Sequence, residues 1–120
     1  MDPRKEIGRI GEEAATRHLE DQGYQILNRN WSTRLGELDI IATDQKAIIF
    51  VEVRTTSSKQ FGYGYQSVDF RKQHKVRRLA LQYLQNQQMI GSKPLRFDVV
   101  SVLLNGQREI QELQHIPAAF

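Results

Sequence analysis

The sequence predicts a single α/β domain with a central mixed β-sheet flanked by two long helices, and three observations predict it. Two stretches carry apolar residues at three- and four-residue spacing, the helical period. Five shorter stretches alternate or run continuously apolar, as strands do. The 120 residues, 39% hydrophobic and 26% charged, suit one ordinary domain over residues 1–120 with a core of its own.

The first helix is expected over residues 4–22, where Ile7, Ile10, Ala14, Ala15, His18 and Leu19 form one apolar stripe. Gly23 ends it, as a glycine just past a helix does. Tyr24–Trp31 reads as a first strand, Leu35–Thr43 as a second and Ala47–Thr55 as a third. Thr43-Asp44-Gln45-Lys46 supplies the turn of a hairpin between the last two. The run Ala47-Ile48-Ile49-Phe50-Val51 suits a central strand covered on both faces. Residues 56–67, rich in Ser, Gly and Tyr, read as a loop. A second helix is expected from Val68 to about Gln88, burying Val76, Leu79, Ala80, Tyr83 and Leu84, and Gly91-Ser92-Lys93-Pro94 breaks it. Leu95–Leu104 and Glu109–His115 are the last two strands, joined through the hairpin signal Asn105-Gly106. The order is α-β-β-β-α-β-β, with no repeat or linker.

Without cysteine, disulfides, thiol nucleophiles and cysteine-ligated zinc are excluded. Met1-Asp2-Pro3-Arg4-Lys5-Glu6 leads into mixed polar sequence and no stretch approaches ~20 apolar residues, so a cytoplasmic location and no membrane partner are expected. A net charge of +3 and a pI of about 9.4 are compatible with nucleic acid. Arg71, Lys72, Lys75, Arg77 and Arg78 are clustered with no acid among them, either as a phosphate-binding face or as a solvated one. His18, His74 and His115 lack metal-ligand spacing and are read as structural or surface residues. Trp31 is read as core and Asp98 as structural. Gly62-Tyr63-Gly64-Tyr65 matches no phosphate-binding loop, because no helix-opening Gly-Lys-Ser/Thr follows. It is read as an ordinary loop, with a flap offering Tyr63 or Tyr65 to a base as the alternative.

Alternation puts Glu37 and Asp39 on one face of the second strand, and Glu52 and Arg54 on one face of the third. A hairpin centred between Gln45 and Lys46 sets Asp39 opposite Glu52 and Glu37 opposite Arg54. Facing like charges are destabilising. At ~4 Å and an effective dielectric of ~20 the repulsion is on the order of 4 kcal/mol. A divalent cation with oxygen ligands would offset it, unless both acids point into solvent.

Gly36-Glu37-Leu38-Asp39-Ile40-Ile41, followed by Phe50-Val51-Glu52-Val53-Arg54, resembles the D…(D/E)-x-K signature of the PD-(D/E)xK nuclease superfamily. The chain resembles the YraN-type family of small bacterial proteins, grouped with Holliday-junction-resolvase-like proteins of that fold. The likeness runs from Gly8-Arg9-Ile10-Gly11-Glu12 through Ser67-Val68-Asp69 and Arg96-Phe97-Asp98-Val99-Val100 to Ala118-Ala119-Phe120. It implies a restriction-endonuclease-like α-β-β-β-α-β core and a Mg²⁺- or Mn²⁺-dependent endonuclease acting on DNA in preference to RNA, with branched DNA a candidate. Asp39 and Glu52 match the metal-binding acids, and the Val53 carbonyl matches the backbone oxygen that completes the shell. Resolvase-like members also place an acid on the first helix about eleven residues before a Gly-aromatic pair. Gly23-Tyr24 points back to Glu12, with Glu13 as the alternative.

Arg54 stands where the signature has lysine. It can stabilise phosphate charge but is effectively never deprotonated, so it cannot act as a base. A second basic residue is often found two positions later, where this chain has Thr56. Glu37 is expected to support the site by pairing with Arg54. A homodimer would suit a resolvase, which cuts two strands symmetrically. Rival readings are a nuclease fold that binds nucleic acid without cutting it, and a protein–protein adaptor.

Overall fold

A computed structural model describes residues 2–57 and 68–120. Helix α1 (Pro3–Asp21) is opened by Asp2, whose carboxylate accepts from the Arg4 amide at 2.9 Å, with proline tolerated in the first turn. It closes on Gly23, at a φ of 94°. There the Gly23 amide reaches the Glu20 carbonyl and the Tyr24 amide the Leu19 carbonyl, both at 3.0 Å, which satisfies the last turn. Strands β1 (Gln25–Thr33), β2 (Gly36–Thr43) and β3 (Ile48–Thr56) follow as an antiparallel meander. Helix α2 (Phe70–Asn86), capped by the Asp69 carboxylate, crosses over to β4 (Leu95–Leu104), which lies parallel to β3. β5 (Ile110–Ile116) returns antiparallel to β4, so the mixed sheet is ordered β1-β2-β3-β4-β5. The expected α-β-β-β-α-β order is present, with β5 added at the edge.

Element ends fall within two residues of expectation, and two departures have a cause in the backbone. α2 stops at Asn86, ahead of the glycine, because Gln88 takes the left-handed φ of 56° that closes the helix. The β4–β5 connection spans residues 105–109 and is no two-residue turn. Asn105 Oδ1 accepts the Gln107 and Glu109 amides at 2.9 Å, and Arg108, not Gly106, has the positive φ. The Gly62–Tyr65 tract lies outside the described residues.

Each face of the sheet takes one helix. Beneath α1, Leu19 packs with Ile40, Ile49, Val51, Val100 and Val102. Beneath α2, the predicted stripe of Val76, Leu79, Ala80, Tyr83 and Leu84 covers Phe50 and Phe97. β3 is buried from both sides, which explains its continuous apolar run. α1 lies close against β3 at Gly11, where a β-carbon would overlap the Thr55 side chain. Gly11→Ala should therefore lower stability by about 1–3 kcal/mol, read as a lower melting temperature.

Strand alternation slips in β1 and β2 at neighbouring positions. In β1, Leu27 packs under α2 and Asn28 accepts from the Tyr83 hydroxyl at 3.1 Å, so consecutive side chains face one helix. Arg29 and Asn30 then both turn to α1, and Trp31 returns to Tyr83 in an edge-to-face contact at 5.3 Å. A register shift between Ile26 and Asn28, and a φ of 52° at Asn30, are the backbone devices. In β2, Leu38 and Ile41 lie under α2 although three residues apart, while Ile40 lies under α1. The slip falls at Asp39, which the pairs Arg29↔Ile40 and Trp31↔Leu38 bracket opposite Asn30.

Candidate functional site

The expected hairpin register holds from Thr43↔Ile48 to Ile40↔Val51, where the ladder between β2 and β3 ends. It stops one pair short of Asp39 and Glu52. Beyond it the Asp39 carboxylate takes the place of a strand carbonyl, with Oδ2 accepting the Val53 amide at 2.9 Å. The slip turns Asp39 towards α1, whereas Glu52 faces α2 as Phe50 does. The strict face-to-face arrangement of the two acids is thereby replaced by a diagonal one.

The gap beside α1 is filled by other carboxylates. One oxygen each from Glu12, Glu37 and Asp39 lies within 4.8 Å of the others. Glu12 comes from α1, and the two acids from β2 share a face as their spacing requires. An open cleft beside them is lined by Arg4, Gly8, Glu12, Asp39, Val53 and Thr55. Glu13, the alternative to Glu12, is instead bound to Arg29 at 3.0 Å.

The electrostatics show a centre short of positive charge. The Asp39 carboxyl is pushed up to about 8, first by burial and then by the charge of Glu52, with Glu12 adding. The Val53 amide and Lys72 pull against that rise. Glu12 is raised as well, first by burial and then by Glu37, with Arg29 opposing. Converging hard oxygen donors with excess negative charge fit a divalent cation.

Glu52 is buried, 9% exposed, and Lys72 Nζ approaches its Oε1 at 3.2 Å. Arg54 makes no ion pair among the described residues, and the expected Glu37–Arg54 pair is not formed. The ladder ends before their positions, and the slip directs Glu37 to α1 instead.

The five basic residues of α2 do not share one face. Lys72 enters the acidic centre. Arg71, Lys75 and Arg78 form an exposed row at helical spacing, with the Lys75 stem beside Gly36 and Arg78 near Arg34. Arg77 lies on the other flank, its guanidinium 4.6 Å from the Phe97 ring centre and 5.7 Å from that of Phe120. Sequence reasoning missed Asn30 and the Lys72–Glu52 contact. Asn in a strand interior, where it is normally disfavoured, was the one available signal for the former.

Asp98 is wholly buried and stands outside the acidic centre. Arg96 binds it at 2.8 and 2.9 Å, His115 Nε2 at 2.8 Å and the Ala118 amide at 3.0 Å. Among the described residues no helix is long and apolar enough to cross a membrane.

The family model described as "Uncharacterised protein family UPF0102" matches residues 11–102, a span that includes every acid of the centre. A UPF0102 protein of Pelotomaculum thermopropionicum is 44% identical over 119 residues, covering 99% of this chain and 98% of that protein. One of Moorella thermoacetica is 46% identical over 117 residues, covering 98% and 97%. One of Myxococcus xanthus is 45% identical over 117 residues, covering 98% and 90%.

Proposed function

The chain belongs to the uncharacterised protein family UPF0102, and from that premise we propose a cytoplasmic Mg²⁺- or Mn²⁺-dependent endonuclease that hydrolyses phosphodiester bonds in DNA, with branched DNA a candidate substrate. The YraN-type resemblance is to this same family. One observation carries the reading: carboxylate oxygens of Glu12, Glu37 and Asp39 converge within 4.8 Å around an acid that burial and Glu52 drive up to about 8.

Asp39 and Glu52 would hold the cation, with the Val53 carbonyl and Glu12 completing the shell and Glu37 adding charge beside it. Bound there, the cation would supply Lewis acidity towards the scissile phosphate and its attacking water. Arg54, permanently charged, would neutralise charge developing on the phosphate, without serving as a base. Lys72 would orient the buried Glu52 through their ion pair. Arg71, Lys75 and Arg78 would hold flanking phosphates, giving binding a salt dependence but no sequence preference. Arg77 is left out of that set because it is engaged with Phe97 and Phe120. A homodimer would give two such centres for symmetric cuts.

The test is Mn²⁺-dependent cleavage of a four-way junction and a linear duplex by wild type and Glu52→Gln. Wild type should release cut products, and the variant should fall to background while melting as a folded protein. Cleavage that survives the substitution would remove Glu52 from the centre. A second reading, nucleic-acid binding without cleavage, has Arg54 in the lysine position in its favour. It predicts metal-independent retention of DNA and no product from wild type.

A further inference from the structure

Asn30 is the one non-glycine residue within a described strand to take a left-handed φ, at 52°. Gln88, Arg108 and Ala118 share that conformation but lie outside the strands. Asparagine tolerates it better than most side chains. Its effect here is directional. A regular strand would send Arg29 and Asn30 to opposite faces, whereas both reach α1, Arg29 at Glu13 and Asn30 at Glu12.

The amide of Asn30 meets two acids at once. With its nitrogen turned towards them, it donates to Glu37 Oε1 at 2.7 Å and to the Glu12 oxygens at 2.7 and 2.9 Å. That orientation is the one in which no acceptor faces an acceptor. The two carboxylates come from different elements, α1 and β2, and otherwise repel each other across the cleft. An amide suits the position better than a cation would. It orients both groups by hydrogen bonds yet leaves their negative charge intact for a metal ion.

We propose that Asn30 is the positioning residue of the acidic centre, clamping Glu12 and Glu37 beside Asp39 so that the centre is preformed for a divalent cation. The proposal rests on the metal reading above and assigns the group that prepares the site. Partners that orient metal ligands typically contribute 10- to 100-fold in affinity.

Titration calorimetry with Mn²⁺ alone tests it on wild type, Asn30→Ala and Asn30→Gly. Glycine accepts the left-handed backbone without supplying the amide, which separates the clamp from the strand's conformation. Both variants should bind Mn²⁺ about 10-fold or more weakly than wild type. Wild-type affinity in Asn30→Gly overturns the clamp and leaves the metal centre standing. A wild type that binds no Mn²⁺ overturns the metal reading, and the clamp's purpose with it. Nitrogen-resolved NMR of the metal-free wild type gives a readout that needs no folded variant. The Asn30 side-chain amide protons should be protected from exchange, and free exchange would overturn the contact.

Discussion

Asp39→Asn should raise the melting temperature of the metal-free protein near pH 8 while removing its Mn²⁺ binding and any cleavage. The Asp39 carboxyl, ordinarily near 3.8, is pushed to about 8 by burial and then by Glu52, against the pull of the Val53 amide. A raised acid binds its proton more tightly in the folded chain than in the unfolded one. Its contribution to stability is fully present below about pH 4 and is lost progressively up to about pH 8. Every tenfold gain in proton affinity on folding corresponds to roughly 1.4 kcal/mol. Solvent reaches this partly buried group, and screening reduces the net effect to on the order of 2 kcal/mol.

Asparagine keeps an oxygen for the Val53 amide and removes the charge that repels Glu52 and Glu12. The variant should gain roughly 5–10 °C at pH 8 and much less at pH 5. Added Mn²⁺ should raise the melting temperature of wild type but not of the variant, because only a chain that binds the ion is stabilised by it. Thermal scans at the two pH values, with and without Mn²⁺, read all of this. A variant that melts below wild type at pH 8 would show that Asp39 is not held under electrostatic strain. This is the trade-off expected where a site is arranged for a ligand that the bare fold lacks.

Asp98→Ala should produce the largest loss of stability, about 3 kcal/mol or more. The substitution strands Arg96, His115 and the Ala118 amide together. Arg96 is a quarter exposed and keeps the Tyr24 hydroxyl at 2.8 Å, so it can partly rehydrate, which sets the loss towards the lower end. In urea the midpoint should fall by on the order of 2 M, and a loss below about 1 kcal/mol would show that the network contributes little. Mn²⁺ affinity of the folded variant should match wild type, since Asp98 lies outside the acidic centre.

The acid limb has its own sign. Burial would raise the Asp98 carboxyl, but the bonds from Arg96, His115 and the Ala118 amide overcome that and hold it below its ordinary value. Its stabilisation is therefore present above about pH 4 and lost as pH falls through the folded value. It leaves the pH 5 to 8 comparison for Asp39 untouched.

Much of the fold was legible because its signals are local. The buried stripe of α2, from Val76 to Leu84, follows from the helical period, and the ends of β4 from its apolar run. The hairpin register between Ile40 and Val51 followed from the position of the turn. What failed lies where alternation slips. Nothing in the letters near Asp39 marks a phase change, so Glu37 was paired with Arg54 when it in fact joins Glu12. A left-handed φ at Asn30 depends on packing between α1, β1 and β2, which single-sequence periodicity does not encode. Contacts across long separations were equally hidden. In sequence Lys72 reads as one more base on a helix face, whereas α2 brings it to Glu52, and β5 brings His115, without metal-ligand spacing, to Asp98. The roles of Asp39 and Glu52 rest on the family resemblance, because spacing alone leaves open whether those two acids face solvent, and Glu12 is implied only by that resemblance.

The parallel pairing of β3 with β4 separates two timescales of assembly. Ile48 meets Thr43 across a short turn, but its β4 partner Leu95 is 47 residues further along the chain. Closing the longer loop costs about 2 kcal/mol more in chain entropy than closing the hairpin. The meander of β1 to β3, which carries Asn30, Glu37, Asp39 and Glu52, can therefore pair early, while β4 and its Asp98 network join late. Interactions formed after the folding barrier act mainly on the rate of unfolding. On that order the acids carried by β2 and β3 assemble early, and loss of the Asp98 network should act chiefly on the rate of unfolding.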